Sequence, residues 1–290
     1  MANFKEIISS EFAHLKTLYF NTAYFGPAPI RSKKRIEQSL SRQLDPSFYD
    51  YEEWRDIADD IRGKIAKLLN CPANNIAHGT SVSDFNNLIA QGYPFKGNDL
   101  VCAIDKEYPS NILPWMLAKE RYLADFKLLN LNQAYPTVEW LDQCLPKNTK
   151  IFVVSHVSFE TGKKIDIASI GEYLKKRNIL FILDVTQALG GVEIKKSELD
   201  LIDVLLCSSY KWMLGPYGHA FAYFSPKAQE IIRYTNATWT KSPNSQRADS
   251  LLEYTTRTLP GARKYDRGQV SNMLTLSALD GSLDLFNQVG

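Results

Sequence analysis

Two residues between positions 178 and 218 have the type and placement needed for chemistry. The apolar run NILFIL delivers Asp184 at its end, followed by Val185, Thr186 and Gln187. A carboxylate there either caps the next helix through backbone N–H groups or meets a ligand. The run DVLLCS delivers Ser208, Ser209, Tyr210 and Lys211, then Trp212, Met213 and the turn LGPYG. A lysine held among aromatic rings is partly desolvated, which lowers its pKa and favours the neutral amine that forms a Schiff base. The competing reading is a solvated surface lysine. A third place is His78-Gly79-Thr80-Ser81, ahead of a helical pattern carrying Phe85, Leu88 and Ile89. Small residues and hydroxyls at a helix N-terminus can hold a phosphate, or form an ordinary N-cap. The chain has neither the lysine of a P-loop nor G-x-G-x-x-G, so nucleotide-binding readings lack their fingerprints.

These residues must be positioned by the elements around them. Strand-length apolar runs occupy 99–104, 126–131, 150–155, 178–184, 203–208 and 219–224, with a shorter one ahead of His78. Between them the spacing predicts helices over Ser110–Ala124, Thr137–Leu145 and Ile167–Arg177. Trp54, Ile57, Ile61, Ile65 and Leu68 mark an earlier amphipathic helix, and the stretch from Ser271 predicts a last one. Continuous apolar strands alternating with helices indicate an α/β fold with a mostly parallel sheet between helices. In such sheets ligands meet the carboxyl ends of the strands, where Asp184 and the Ser208–Lys211 segment fall. The polar stretch 235–263 reads as an excursion or mobile loop.

Composition narrows the class further. The chain has 290 residues, 44% hydrophobic and 23% charged, which suits one large folded domain or one plus a fragment. With 34 Lys and Arg against 32 Asp and Glu, the net charge of +2 implies neither nucleic acid nor a membrane surface as partner. Cys71, Cys102, Cys144 and Cys207 are widely spaced and suggest no zinc site or disulfide framework, so a reducing, cytoplasmic setting is expected. Cys207 sits inside an apolar strand and reads as core. The N-terminus lacks an apolar signal core, and no run is long enough to span a bilayer.

Taken in order, YFNTAYFGPAP at 19–29, HGTS at 78–81, EYPSNILPW at 107–115, SHVSFETG at 155–162, LDVTQALG at 183–190, SSYKWMLGPYG at 208–218 and YDRGQVSN at 265–272 resemble the pyridoxal-phosphate-dependent aminotransferase class V family, which includes the cysteine desulfurases. The resemblance implies pyridoxal 5′-phosphate (PLP) as cofactor, the PLP-dependent transferase fold, and a small-molecule amino acid as substrate. By it Lys211 forms the Schiff base and Asp184 pairs with the pyridine nitrogen, where a carboxylate favours the protonated ring that serves as electron sink. Gln187 reaches the phenolic oxygen and Tyr108 stacks on the ring. Thr80, Ser208 and Tyr210 hold the phosphate with backbone N–H groups from Gly79 to Ser81. Gly268 and Gln269 match the segment that reaches the phosphate of a partner subunit, so a homodimer is implied.

The chain departs from the desulfurase pattern in Tyr108, which replaces a histidine, and Phe159, which replaces an asparagine. His156 is read as structural rather than catalytic, and no cysteine is a good persulfide carrier. The expected organisation is an N-terminal arm over 1–30, a cofactor-binding large domain over 31–268, and a helix over 269–290 leading toward a small domain that relatives carry and this sequence lacks. The expected function is aminotransferase-like chemistry on an amino acid. The alternatives are a cysteine desulfurase or lyase, and a non-catalytic protein of the same fold.

Overall fold

The apolar runs are strands, and they share one sheet. A computed structural model describes residues 4–48, 51–131, 135–267 and 272–289. Its strands are β1 (Ile76–Gly79), β2 (Asp99–Ile104), β3 (Ala124–Leu129), β4 (Thr149–Ser155), β5 (Leu180–Asp184), β6 (Val204–Ser208) and β7 (Ala220–Phe224). Its helices are α1 (Phe4–Glu11), α2 (Ile30–Leu44), α3 (Tyr51–Leu68), α4 (Val82–Gly92), α5 (Leu113–Arg121), α6 (Val138–Cys144), α7 (Ile167–Lys176), α8 (Lys196–Leu199), α9 (Pro226–Ile231) and α10 (Met273–Val289). Among the described residues the sheet has seven strands in the order β1-β7-β6-β5-β4-β2-β3. It is mostly parallel, with β7 antiparallel to both its neighbours.

Both faces of the sheet are covered, which explains why the strands read as continuous rather than alternating apolar runs. Phe152, Phe181, Leu183 and Leu205 pack on one face with Ile61 and Ile65 of α3, Leu174 of α7 and Leu279 of α10. Val153, Ile182, Val204 and Leu206 pack on the other with Phe85 and Leu88 of α4 and Trp115 of α5. Truncating a side chain as large as fully buried Phe152 to alanine would cost about 3–5 kcal/mol.

Two expectations shift. The strand expected at 126–131 lies at Ala124–Leu129, because β3 is an edge strand whose register is set by pairing with β2 and whose middle residues stay largely solvent-accessible. The helix expected from Ser110 is a 3₁₀ turn at Pro109–Asn111 followed by α5, with Pro114 in its first turn. The 235–263 stretch contains short 3₁₀ turns around buried Lys241.

Helix α10 packs against α2 and α3. Ser32 Oγ donates to the Ala278 carbonyl at 2.7 Å, and a Cβ on Gly281 would fall 2.7 Å from the Ser32 backbone nitrogen. From α10, Ser282 Oγ donates to the Leu214 carbonyl at 2.7 Å, which anchors the turn after Lys211. Among the described residues no helix is long and apolar enough to cross a membrane.

Candidate active site

The sheet register brings the chemistry to one edge. Ser155 ends β4 beside Asp184 at the end of β5, and Ser208 ends β6 beside Ala220 of β7, which also faces Gly79. Over this edge lies a cavity of about 180 Å³. Of the residues singled out in the sequence, Thr80, Ser81, Tyr108 and Asp184 line it, as do Gln187, Ser208, Tyr210 and Lys211. Gly79 does not. It ends β1 against the ring of Phe85, where a Cβ would sit 2.7 Å from a ring carbon, so its smallness serves packing.

Asp184 is buried, and both carboxylate oxygens are held. The Thr186 backbone N–H donates to Oδ1 at 2.9 Å, and Asn111 Nδ2 donates to Oδ2 at 3.0 Å. Burial pushes its pKa above the ordinary carboxylate range, opposed by the bonds from Thr186 and Asn111 and by the charge of Lys211. Thr186 Oγ1 also accepts from the Ser208 N–H at 3.0 Å, tying β5 to β6 at the cavity floor.

Lys211 is buried as well, with Nζ 5.3 Å from the Tyr108 ring centroid and 5.6 Å from that of Tyr210. Burial lowers its pKa, and Asp184 and Cys207 oppose the shift. Its carbonyl accepts from the Leu214 N–H at 3.0 Å, in a tight turn that places Leu214 at φ +53°. The Tyr108 ring stands edge-on to Phe159, centroids 5.4 Å apart. Burial, with the neighbouring phenols Tyr108 and Tyr217, pushes the Tyr210 hydroxyl up to about 12.

The N-terminal segment is bonded to two residues of the cavity wall, Tyr210 and Gln187. The Gly26 N–H donates to the Tyr210 carbonyl at 2.8 Å, and Gln187 Nε2 donates to the Ala23 carbonyl at 3.0 Å. Gln187 Oε1 accepts from Trp212 Nε1 at 3.1 Å, which fixes which end of the amide faces the arm. Gly190, at φ +100°, lets Trp212 approach: a Cβ there would fall 2.2 Å from the Trp212 carbonyl oxygen.

At the opposite end the N-terminus of α4 faces the cavity through Ser81, Val82 and Ser83. Ser81 caps the helix by accepting from the Asp84 N–H at 3.1 Å. Thr80 Oγ1 donates to Asp84 Oδ2 at 3.0 Å, and Arg267 pairs with Asp84 Oδ1 at 2.8 Å, so that carboxylate carries its own counter-charge. His219, which also lines the cavity, forms a neutral imidazole pair with His78. His78 Nε2 is 2.8 Å from the Ala58 carbonyl and donates to it, so His78 Nδ1 accepts from His219 Nε2 at 3.2 Å. His156 is buried, does not line the cavity, and has no partner for Nδ1 among the described residues.

The ordered motifs are matched by a family model. The model for aminotransferase class V covers residues 49–256. The chain belongs to the class-V aminotransferase family. A probable cysteine desulfurase of Pyrococcus abyssi is 27% identical over 213 residues, 70% of this chain and 49% of the relative. The isopenicillin N epimerase of Streptomyces clavuligerus is 23% identical over 276 residues, 93% of this chain and 69% of the relative. The chain thus spans about half the length of the desulfurase-type relatives it matches. Among solved structures, the cystine C-S lyase C-DES in complex with its product cysteine persulfide superposes with a TM-score of 0.87 at 19% identity, over 97% of this chain and 74% of that one. A C-DES variant with glycine covalently linked to its PLP cofactor gives 0.88 at 17% identity, over 98% and 74%. These likenesses show that the chain has the fold of C-DES.

Several residues in and around this cavity carried no sequence signal of their own. Glu107, Asn111, Ser155 and Thr186 lie inside the motif blocks, yet their work is to hold other site residues across the sheet. The pairing of Gln187 with Ala23 joins positions 164 residues apart, which no local pattern reports. Gly268 and Gln269 lie outside the described residues.

Proposed function

We propose that this chain binds pyridoxal 5′-phosphate, attached through the ε-amine of Lys211, and that it performs aminotransferase-like chemistry on an amino acid. The observation that carries this is the pairing of a buried lysine, its pKa lowered by burial, with a buried carboxylate in one cavity, among the aromatic rings of Tyr108 and Tyr210. The donor set fits the cofactor: an amine for its aldehyde, a carboxylate for its ring nitrogen, a flat ring, and hydroxyls at a helix N-terminus for its phosphate. When bound, the cofactor would supply an electron sink for the electron pair left at the substrate α-carbon.

The chain's own residues would divide the work as follows. Asp184 would hold the proton on the ring nitrogen, and Gln187 would donate to the phenolic oxygen. Tyr108 would cover one face of the ring. Thr80, Ser81, Ser208 and Tyr210, with the N–H groups of Thr80 and Ser81 at the start of α4, would hold the phosphate; Gly79, expected to contribute its N–H, lies outside the cavity wall. Lys211, its pKa lowered by burial, would take a proton from the substrate α-carbon and return it. Gly268 and Gln269 would reach the phosphate site of a second copy, making a homodimer in a reducing, cytoplasmic setting.

A desulfurase or lyase reading shares the opening steps. Burial pushes Cys71 and Cys102 up to about 11 and Cys207 well above its ordinary value, which disfavours any of them as a persulfide-carrying thiolate. The test is incubation of the PLP-loaded protein with a panel of amino acids, reading keto acid, sulfide and ammonia. Keto acid formed without free ammonia, its amino group retained on the cofactor or passed to an added keto acid, supports the transaminase reading, whereas keto acid with ammonia marks elimination. Sulfide release replaces it with the lyase reading, and PLP bound without turnover replaces it with a non-catalytic one.

A further inference from the structure

We infer that Asn111 is a positioning residue whose side-chain amide lets two buried carboxylates, Asp184 and Glu107, stay ionised side by side, with its orientation locked by Asn86. Asn111 is fully buried in the turn that follows Tyr108. Its Nδ2 donates to Asp184 Oδ2 at 3.0 Å and reaches Glu107 Oε1 at 3.4 Å. Its Oδ1 accepts from Asn86 Nδ2 at 3.0 Å, and the same Nδ2 donates to the Ser110 carbonyl at 2.9 Å. Because Asn86 Nδ2 has two acceptors, it is the nitrogen end that meets Asn111. The Asn111 oxygen therefore points at Asn86, one amide hydrogen points at Asp184, and the other points toward Glu107 Oε1 and Ser155 Oγ, each 3.4 Å away. A flipped Asn111 would set its oxygen against a carboxylate oxygen.

The two acids are not equally provided for. Glu107 accepts from the Tyr108 N–H at 2.7 Å, the Ser155 N–H at 2.7 Å and Ser155 Oγ at 2.5 Å. Asp184 depends on Thr186 and Asn111. Among the described residues neither acid makes an ion pair. The titratable groups facing them are Lys211, Cys207 and Tyr210 from β6 and its turn, and Tyr135, whose hydroxyl donates to the Ser155 carbonyl at 2.9 Å. Burial holds Cys207, Tyr210 and Tyr135 neutral, and Lys211 is the cation that offsets the pair. Burial also raises both acids, and the charge of Asp184 raises Glu107 further. Without the shared amide, Asp184, left with Thr186, is the member that takes up a proton. A protonated Asp184 could not hold the proton of a ring nitrogen. That last consequence rests on the cofactor reading; the sharing of one amide by two acids does not.

The test uses Asn111→Leu, Glu107→Gln and the double variant. Two quantities are followed between about pH 6 and pH 9: PLP affinity by fluorescence titration, and the melting temperature of the cofactor-free protein. Asn111→Leu should weaken PLP by about ten- to a hundredfold, the worth of a hydrogen bond to a buried charge, with the deficit largest at the acid end. Its melting temperature should fall further below wild type as pH rises, because an acid whose folded pKa is raised costs stability once it ionises. Adding Glu107→Gln should relieve both effects by removing the repelling charge. A loss independent of pH, unrelieved by Glu107→Gln, would overturn the inference and leave Asn111 a packing residue. If Asn111→Leu does not fold, Glu107→Gln alone should flatten the decline in stability with rising pH, and an unchanged decline would overturn it. A wild type that fails to bind PLP while the pH signatures appear would defeat the cofactor reading and leave the shared amide standing.

Discussion

Gly26 lies against the backbone of Lys211 so closely that a Cβ on it would fall 2.0 Å from the Lys211 carbonyl oxygen. The arm is therefore seated directly on the turn that carries the candidate cofactor lysine, and its Gly26 N–H is bonded to the Tyr210 carbonyl. Gly26→Ala should lower stability by about 1–3 kcal/mol, the usual cost of overpacking, and should weaken PLP binding as the turn shifts. Thermal unfolding and a PLP titration check this. A variant with wild-type melting and affinity would show that the arm does not bear on the turn.

Trp212 holds Gln187 by its indole N–H, and Gln187 holds Ala23. Trp212→Phe keeps a ring there and removes that hydrogen bond. PLP affinity should fall by about three- to tenfold, as expected for loss of one neutral hydrogen bond, and protease should cut the arm near residue 23 faster. An unchanged cleavage rate would mean that the arm is held without Gln187.

The fold was legible in the sequence because burial on both sheet faces leaves continuous runs such as DVLLCS, and the α7 pattern was clear because Ile167, Ile170 and Leu174 share a buried stripe. Legibility failed where periodicity did not govern. β3 is exposed along its middle, so its register is set by β2 rather than by its own apolar residues. Asp184, Lys211 and Tyr108 were legible as site candidates because each lies in a dense motif at a strand end or loop. Asn86 and Asn111 were not, since polar residues 25 positions apart leave no pattern when their only signature is a hydrogen bond between them. Gly79 lay within a readable motif, yet what requires a glycine there is the Phe85 ring.

The four cysteines should be slow to alkylate in the folded protein. Cys102 and Cys207 are buried, Cys71 and Cys144 partly so, and burial raises the pKa of each. Iodoacetamide near neutral pH should label them far more slowly than after denaturation, as read by mass spectrometry. Rapid native labelling of one cysteine would reopen it as a sulfur carrier.

Three buried histidines set the acid limit of stability. Burial lowers His78 to about 3 and His156 to about 4, and it holds His219 well below its ordinary value. Each folded pKa lies below the unfolded value of about 6.5, so the unfolded chain binds protons first as pH falls. Their contribution is complete above that value and is lost progressively as pH drops toward the folded ones. The melting temperature should decline below about pH 6.5, and His156→Gln should make the decline shallower. A His156→Gln profile parallel to wild type would contradict the assignment.

The central claim is that Lys211 is the amine that carries the cofactor. Purified protein is mixed with pyridoxal 5′-phosphate, reduced with borohydride, digested and mapped by mass spectrometry. The account predicts one dominant pyridoxyl adduct on the peptide containing Lys211, absent in Lys211→Ala. The sharpest competitor is Lys241, another buried amine, which burial lowers to about 8. An adduct there, or none at all, would contradict the account.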